Sequence, residues 1–343
     1  VLSSPFVEDV SVPIDADAPG ATLSIRAWRV RGDGTGPRVH LQAGLHADEI
    51  PGMLVLHLLL PRLVAAAEAG HLKGTITVVP QANPLGAGQF AQGRILGRYH
   101  FQTNRNFNRG FPDSVAAGGV GSAFVSWQAR LASLARHADI VLDLHTDDEA
   151  VPYLYLHTGF WPAGRDLAVA LGTELVILWE GDSGGAFEEV VIDPWLAESR
   201  LDGRLVSTIE LRGQADVDET TAQADADGLY AFLCARGVID APATLPAWTG
   251  TVAPMGHMET VTAPQAGLIV FDVPLGAEVA AGTRFARIIT RPGDPASEIP
   301  LVAPQAGRLV TRYRDRLIPR GDIAAKFACE GPSSTWSSGA LDP

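Results

Sequence analysis

"AGLHADEIPG", residues 43–52, holds the logic of the fold in ten positions. A short apolar run, 38–43, ends here. His46 and Glu49 come next, three residues apart, and Pro51 then opens a helical pattern that continues to residue 69. Proline suits the first turn of a helix. Outward from this junction the same alternation repeats. Residues 75–80, 139–145, 152–157, 174–179 and 207–211 read as further buried strands, each rich in Val, Ile or Leu and bounded by Gly, Pro or polar residues. Between them, 122–137 carries Phe124, Trp127, Leu131 and Leu134 at helical spacing behind Ser122, an N-cap candidate. A last helical pattern, 220–236, ends at Gly237, placed as a C-cap. Alternating strands and helices predict an α/β fold, with a largely buried sheet flanked by helices.

The texture changes near residue 240. "DAPATLPAWTGT" reads as a proline-rich linker, and the residues after it are strand- and turn-like. "APQAGLIV" from Ala263 returns as "APQAGRLV" from Ala303, which predicts a small all-β barrel or sandwich made of two similar halves. The expected organisation is a hydrolase-sized domain over 1–240, a linker over 241–250, a β-rich domain over 251–329 and a flexible tail over 330–343.

Charge and composition exclude several classes. With 26 basic and 39 acidic residues the net charge is −13, which repels phosphate backbones and argues against nucleic acid as a partner. The longest apolar stretch, 53–67, is broken by His57, Pro61 and Arg62, so no membrane association is expected. Cys234 and Cys329 lack a paired-cysteine context and read as reduced thiols in a cytoplasmic protein. The chain starts at Val1, which leaves a removed leader open.

Four elements carry chemistry. Imidazole and carboxylate are good zinc ligands, and a turn leaving a strand can bring His46 and Glu49 to one point. His145 ends the strongly apolar "DIVLDLHT", and carboxyl ends of strands are where ligands gather in an open α/β sheet. Asp143, two residues back, shares its face and could orient its ring from behind; a plain strand-end hydrogen bond is the other reading. Glu210 lies inside the apolar run "VSTIELRG", where a carboxylate is costly unless it is paired, for instance with Arg212, or functional. Burial would raise its pKa towards that of a general base. Lastly, Arg94, Arg98, Arg105 and Arg109 cluster around "NRNFNRGFP", either as solvated loop charge or as a carboxylate-binding group.

In this order the motifs resemble the succinylglutamate desuccinylase/aspartoacylase family of the wider zinc carboxypeptidase-like clan. The matching residues are His46 and Glu49, Asn83 and Pro84 in "QANPLG", Asn108 and Arg109 in "NRGFP", His145 in "DLHT" and Glu210 in "STIELRG", across roughly residues 38–237. The resemblance implies a mixed eight-stranded sheet between helices and one zinc per active site, held by His46, Glu49 and His145. It implies hydrolysis of the amide bond of a small N-acyl amino acid or a related carboxylate-bearing amide. Glu210 is then the general base, Asn108 and Arg109 hold the substrate carboxylate, and an upstream arginine polarises the scissile carbonyl. Arg98 is preferred there over Arg94. The chain departs from the family pattern at Ala47, where glycine is usual, and a second pair, Asn104–Arg105, makes the register ambiguous. The Gly-Phe-Pro immediately downstream favours Asn108–Arg109. The clan's substrate tyrosine is not placed, with Tyr153 and Tyr155 as candidates. The C-terminal part resembles the lipoyl-like β-barrel appended to some members, without a modifiable lysine.

Two other readings stand beside this one: a metallocarboxypeptidase acting on peptide C-termini, and a non-catalytic small-molecule binder. A homo-oligomer is compatible with the sequence. His57, His71, His100, His137, His157 and His257 read as ordinary surface or core histidines. The glycine-rich segment 180–189 reads either as a loop at the site mouth or as a plain connection.

Overall fold

A computed structural model describes residues 3–112, 122–336, 338–339 and 341. Its centre is a mixed sheet. In chain order the strands are β1 (Leu23–Arg31), β2 (Arg38–Ala43), β3 (Thr75–Gln81), β4 (Ile140–Asp147), β5 (Tyr153–His157), β6 (Leu175–Trp179), β7 (Leu205–Gly213) and β8 (Thr251–Pro254). Their order across the sheet is β1-β3-β2-β4-β7-β5-β6-β8, and two short strands, Val7–Asp9 and Val12–Ile14, flank β1 and bring the total to ten. The central strands β2, β4 and β7 run parallel, so their carboxyl ends share one edge of the sheet. β4 is the axis of the core: Ile140, Val141, Leu142 and Leu144 are buried, each contributing roughly 1.5–3 kcal/mol of transfer free energy.

Helices α1 (Pro51–Glu68), α2 (Ala123–Ala135), α3 (Arg165–Leu171), α4 (Phe187–Ala197) and α5 (Glu219–Ala235) cover the sheet. α1 buries Val55, Leu56, Leu59, Leu63 and Val64, and it packs against α5 as well as the sheet. The first turn of α2 is capped in an unexpected way. Ser122 stands at the N-cap position without a side-chain bond, and Asp17, over a hundred residues earlier, accepts instead from Ala123 N at 2.8 Å.

The β-rich part forms two facing sheets around a second core of Ile269, Phe285, Ile288, Leu309 and Phe327, among others. The two repeats lie in opposite sheets, as strands Gly267–Phe271 and Gly307–Arg312. The repeated glycine has a steric cause. A Cβ on Gly267 would sit 2.5 Å from the Ile289 carbonyl oxygen, and one on Gly307 would sit 2.4 Å from that of Ala328.

The stretch expected as a linker delivers β8 to the open edge of β6, in parallel register. Residues 251–254, counted from sequence with the β-rich part, thereby extend the large sheet. The segment expected as a tail is held at several points. Ser334 donates to the buried Glu259 through N (2.9 Å) and Oγ (2.8 Å), and Leu341 reaches the wall of the main cavity.

Within β2, His40 is fully buried and its Nε2 lies 2.8 Å from Gln42 Oε1. Burial holds this imidazole below its ordinary range, against the opposing pull of Gln42 and Asp143. The folded protein therefore refuses a proton that the unfolded chain accepts below about pH 6.5, and stability is lost as pH falls through that window. His40→Gln should lose less stability than the parent between pH 7 and 5.5, with the slopes differing by up to about 1.4 kcal/mol per pH unit. Urea unfolding of both proteins across that range checks it, and parallel slopes would refute it.

Candidate metal and catalytic site

The site forms where β2, β4 and β7 end side by side. The chain leaves β2 through Gly44 and turns so that Glu49 N donates to His46 O at 3.1 Å, which sets both side chains to one side. Asn83 secures this loop by donating from Nδ2 to Leu45 O at 2.8 Å, while its Oδ1 accepts from Gly86 N. On the other flank Gly97 approaches so closely that a Cβ would lie 2.3 Å from Asp48 N. That contact fixes the start of the segment carrying Arg98.

His46, Glu49 and His145 converge, with one potential ligand atom from each within 4.8 Å of the others. They are 4%, 2% and 4% exposed, so water does not screen them. Glu49 Oε1 lies 2.8 Å from His46 Nδ1, and Glu49 Oε2 lies 2.8 Å from His145 Nδ1. The far nitrogen of each ring faces an acceptor. His46 Nε2 is 2.9 Å from Asn106 Oδ1, and His145 Nε2 is 3.0 Å from Asp143 Oδ2. The second is an ion-pair approach rather than an aligned hydrogen bond. With protons on Nε2, both Nδ1 lone pairs point at the carboxylate. Lone pairs facing an anion at such distances call for a cation among them, and this donor set suits a divalent metal.

The electrostatics agree. Burial alone would push Glu49 up, but the two imidazoles hold it well below the usual carboxylate range. Burial lowers His46 in spite of Glu49. For His145, burial is outweighed by Asp143 and Glu49, which raise it well above the ordinary imidazole value. Glu210, on β7 and paired in register with His145, is pushed well up by burial and then by Glu49. Its Oε2 has no hydrogen-bond partner among the described residues. Arg212 does not neutralise it, because that side chain pairs with Asp225.

A cavity of about 570 Å³ opens on these groups. Of the four clustered arginines, Arg98 and Arg109 line it. Arg98 Nη1 lies 3.3 Å from Glu49 Oε1. Arg94 sits exposed on the two-residue strand Arg94–Ile95, and Arg105 stacks over the Phe124 ring at 4.7 Å. Asn108 also lines the cavity, while its Oδ1 accepts from Phe187 N at 2.8 Å. The glycine-rich segment runs against this loop. Gly110 N and Phe111 N donate to Gly184 O and Gly185 O, both at 2.8 Å, and Ser183 and Glu188 reach the cavity wall. Of the two tyrosine candidates, Tyr155 lines the cavity, whereas Tyr153 donates to Asp147 Oδ2 at 2.8 Å. The β-rich part closes the opposite side with Tyr313, Gly321, Asp322 and Ile323, and its buried Lys326 donates to the same Asp147 oxygen at 2.7 Å.

Residues 35–236 match the family described as the succinylglutamate desuccinylase/aspartoacylase catalytic domain. The chain is similar to the N-alpha-acetyl-L-2,4-diaminobutyric acid deacetylase of Halomonas elongata, with 25% identity over 304 residues, covering 86% of this chain and 83% of the relative. Among solved structures it is similar to a succinylglutamate desuccinylase/aspartoacylase family protein from Shewanella amazonensis, with 25% identity and a TM-score of 0.82, covering 94% of this chain and 99% of that one. It shares the fold of the product-bound ectoine utilization protein EutE (DoeB) from Ruegeria pomeroyi, at 23% identity and a TM-score of 0.76, covering 94% of each chain.

Asn106, which sequence reasoning passed over, generates a prediction. Asn106→Ala removes the acceptor behind His46 and should weaken metal binding by about 10–100-fold. Competition against a calibrated chelator measures this. Unchanged affinity would remove Asn106 from metal binding.

Proposed function

This chain belongs to the succinylglutamate desuccinylase/aspartoacylase family, and from that premise we propose that it is a zinc-dependent deacylase that hydrolyses the amide bond of a small N-acyl amino acid or a related carboxylate-bearing amide. The observation that carries this reading is the meeting of His46, Glu49 and His145 with Glu210 in one cavity. The relative named as a deacetylase of an acetylated amino acid supports the reaction class.

His46 Nδ1, the Glu49 carboxylate and His145 Nδ1 would hold the zinc, with Asn106 and Asp143 fixing the ring tautomers from behind. Zinc bound by three protein ligands supplies Lewis acidity and a water whose pKa is lowered to about 7. Glu210 Oε2 then takes the proton of the attacking water and returns it to the leaving nitrogen. Its raised pKa suits both halves of that transfer. The Arg98 guanidinium polarises the scissile carbonyl and steadies the developing oxyanion, a contribution of roughly 3–4 kcal/mol for a well-placed donor. Arg109, with the amide nitrogen of Asn108, binds the substrate carboxylate and so fixes the amide over the site. Tyr313 and Asp322 of the β-rich part add a wall to the cavity, which favours a small substrate over a long peptide.

These roles are separable by substitution. Glu210→Gln should keep its zinc and lose turnover by about 10²–10⁴-fold, whereas His46→Ala should lose both. Zinc analysis alongside hydrolysis of N-acetyl and N-succinyl amino acids distinguishes the two variants, and full activity in Glu210→Gln would remove that residue from the chemistry. Arg109→Met should cost about 1.5–3 kcal/mol of kcat/KM, the worth of a charge-assisted bond, chiefly on substrates with a free carboxylate. An equal loss on the corresponding amidated substrates would refute carboxylate binding.

A further inference from the structure

The metal-ligand cluster occupies the carboxyl ends of β2, β4 and β7. The amino ends of the same three strands are built differently. Asp139 N, just ahead of β4, donates to Arg38 O at 2.7 Å, and Leu205 N, the first of β7, donates to Asp139 O at 3.0 Å. Arg38 N in turn donates to Asp139 Oδ2 at 2.9 Å. Three strand starts are thereby clamped side by side. At about 3.3 Å per residue, the run from Asp139 to His145 puts this edge roughly 20 Å from the metal ligands.

A hollow of about 180 Å³ opens at that edge. Arg38, Arg136, His137, Arg200 and Arg204 line it, and among the described residues no carboxylate does. α4 contributes an apolar side through Val191 and Trp195. Two of the guanidiniums are held in place. Arg38 Nε and Arg204 Nη2 each lie 3.6 Å from a different oxygen of Asp139, and Arg204 Cζ stands 4.8 Å from the Trp195 ring centroid. Arg200 pairs with Glu198, and its backbone N donates to Trp195 O at 2.8 Å. The Arg136 guanidinium has no hydrogen-bond or ion-pair partner among the described residues. Four guanidiniums thus face two carboxylates, Asp139 and Glu198, a local surplus of two positive charges in a chain whose net charge is −13. Helix C-termini attract cations, which accounts for Arg136 beyond α2 and Arg200 beyond α4. Arg38 and Arg204 stand at strand starts, where the sheet supplies no comparable field. Like charges gathered on one hollow repel one another until an anion enters.

We infer that this hollow is a second binding site, and that it takes the phosphoryl group of a soluble phosphate. A tetrahedral dianion accepts from several directions at once, which suits guanidiniums brought in from separate segments of the chain. A planar carboxylate would engage one fork and leave the others unmatched. The volume is below the roughly 300 Å³ of pockets that hold drug-sized ligands, which restricts the occupant to phosphate or a small ester of it. The site lies apart from the metal cluster, so the inference does not depend on the deacylase reading and its test needs no turnover.

Calorimetric titration of the zinc-loaded protein at low ionic strength with inorganic phosphate, glycerol 3-phosphate and acetate tests the site. The parent should bind the phosphates at least about 10-fold more tightly than acetate. Arg204→Gln should weaken phosphate binding by about 10-fold. Arg136→Gln, which has no polar partner to lose among the described residues, should weaken it by about 2–5-fold. Arg109→Met, in the metal-site cavity, should leave it unchanged. Thermal melting establishes that the variants are folded. No binding by the parent, parity with acetate, or an affinity that survives both Arg136→Gln and Arg204→Gln overturns the inference. So does an affinity lost only in Arg109→Met, which would put the phosphate at the metal. Tighter binding of glycerol 3-phosphate identifies an ester as the ligand and tighter binding of inorganic phosphate identifies the free ion; either upholds the site.

Discussion

A carboxylate pressed between two imidazole nitrogens at 2.8 Å on either side, almost wholly buried, is the constraint around which this molecule is arranged. Such a contact cannot persist with lone pairs alone. It needs a positive charge, and it needs each ring locked in one tautomer. Parallel neighbours β2, β4 and β7 satisfy the first geometric demand by ending together. The second is met from separate places, by Asp143 on β4 and by Asn106 in the arginine-rich loop. The sheet therefore acts as a jig, and its apolar interior keeps the local dielectric low enough for the cluster to matter.

Much of this was legible from residue order. The strand cores were, because β-branched runs bounded by breakers leave few alternatives, and so were His46, Glu49, His145 and Glu210, which stand at strand ends or inside an apolar run. Other features were not. Asn106 sits among arginines and asparagines with no periodic pattern, and its partner ring lies sixty residues away. Glu188 begins a helix straight after a glycine-rich stretch, where an acidic residue reads as an ordinary first-turn charge. Asp17 caps a helix from more than a hundred residues upstream. β8 hides behind prolines, because an edge strand paired on one side tolerates a composition that a central strand does not. In each case the missing information is long-range pairing, which local spacing does not encode.

The β-rich part has two roles at the site. It supplies one wall of the cavity, and it anchors the strand that carries His145. Lys326 and Tyr153 meet on Asp147, two residues beyond His145, and Glu149 in the same stretch bonds Arg312 and Arg316. Charged groups so placed are held by mutual neutralisation rather than by apolar packing, and pairs of this kind define a docking geometry more sharply than they add stability.

The lacing between residues 108–111 and 184–187 has a consequence for how such an enzyme can change over generations. Arg109 lies on one edge of that seam and Glu188 just beyond the other, so a substitution that shifts either backbone displaces both. The side chains carried by the two segments are thus not free to move separately. Lineages that explore new metabolites would pass through coupled replacements, and single-step libraries would undercount the accessible variants because each intermediate carries a penalty that its partner change removes.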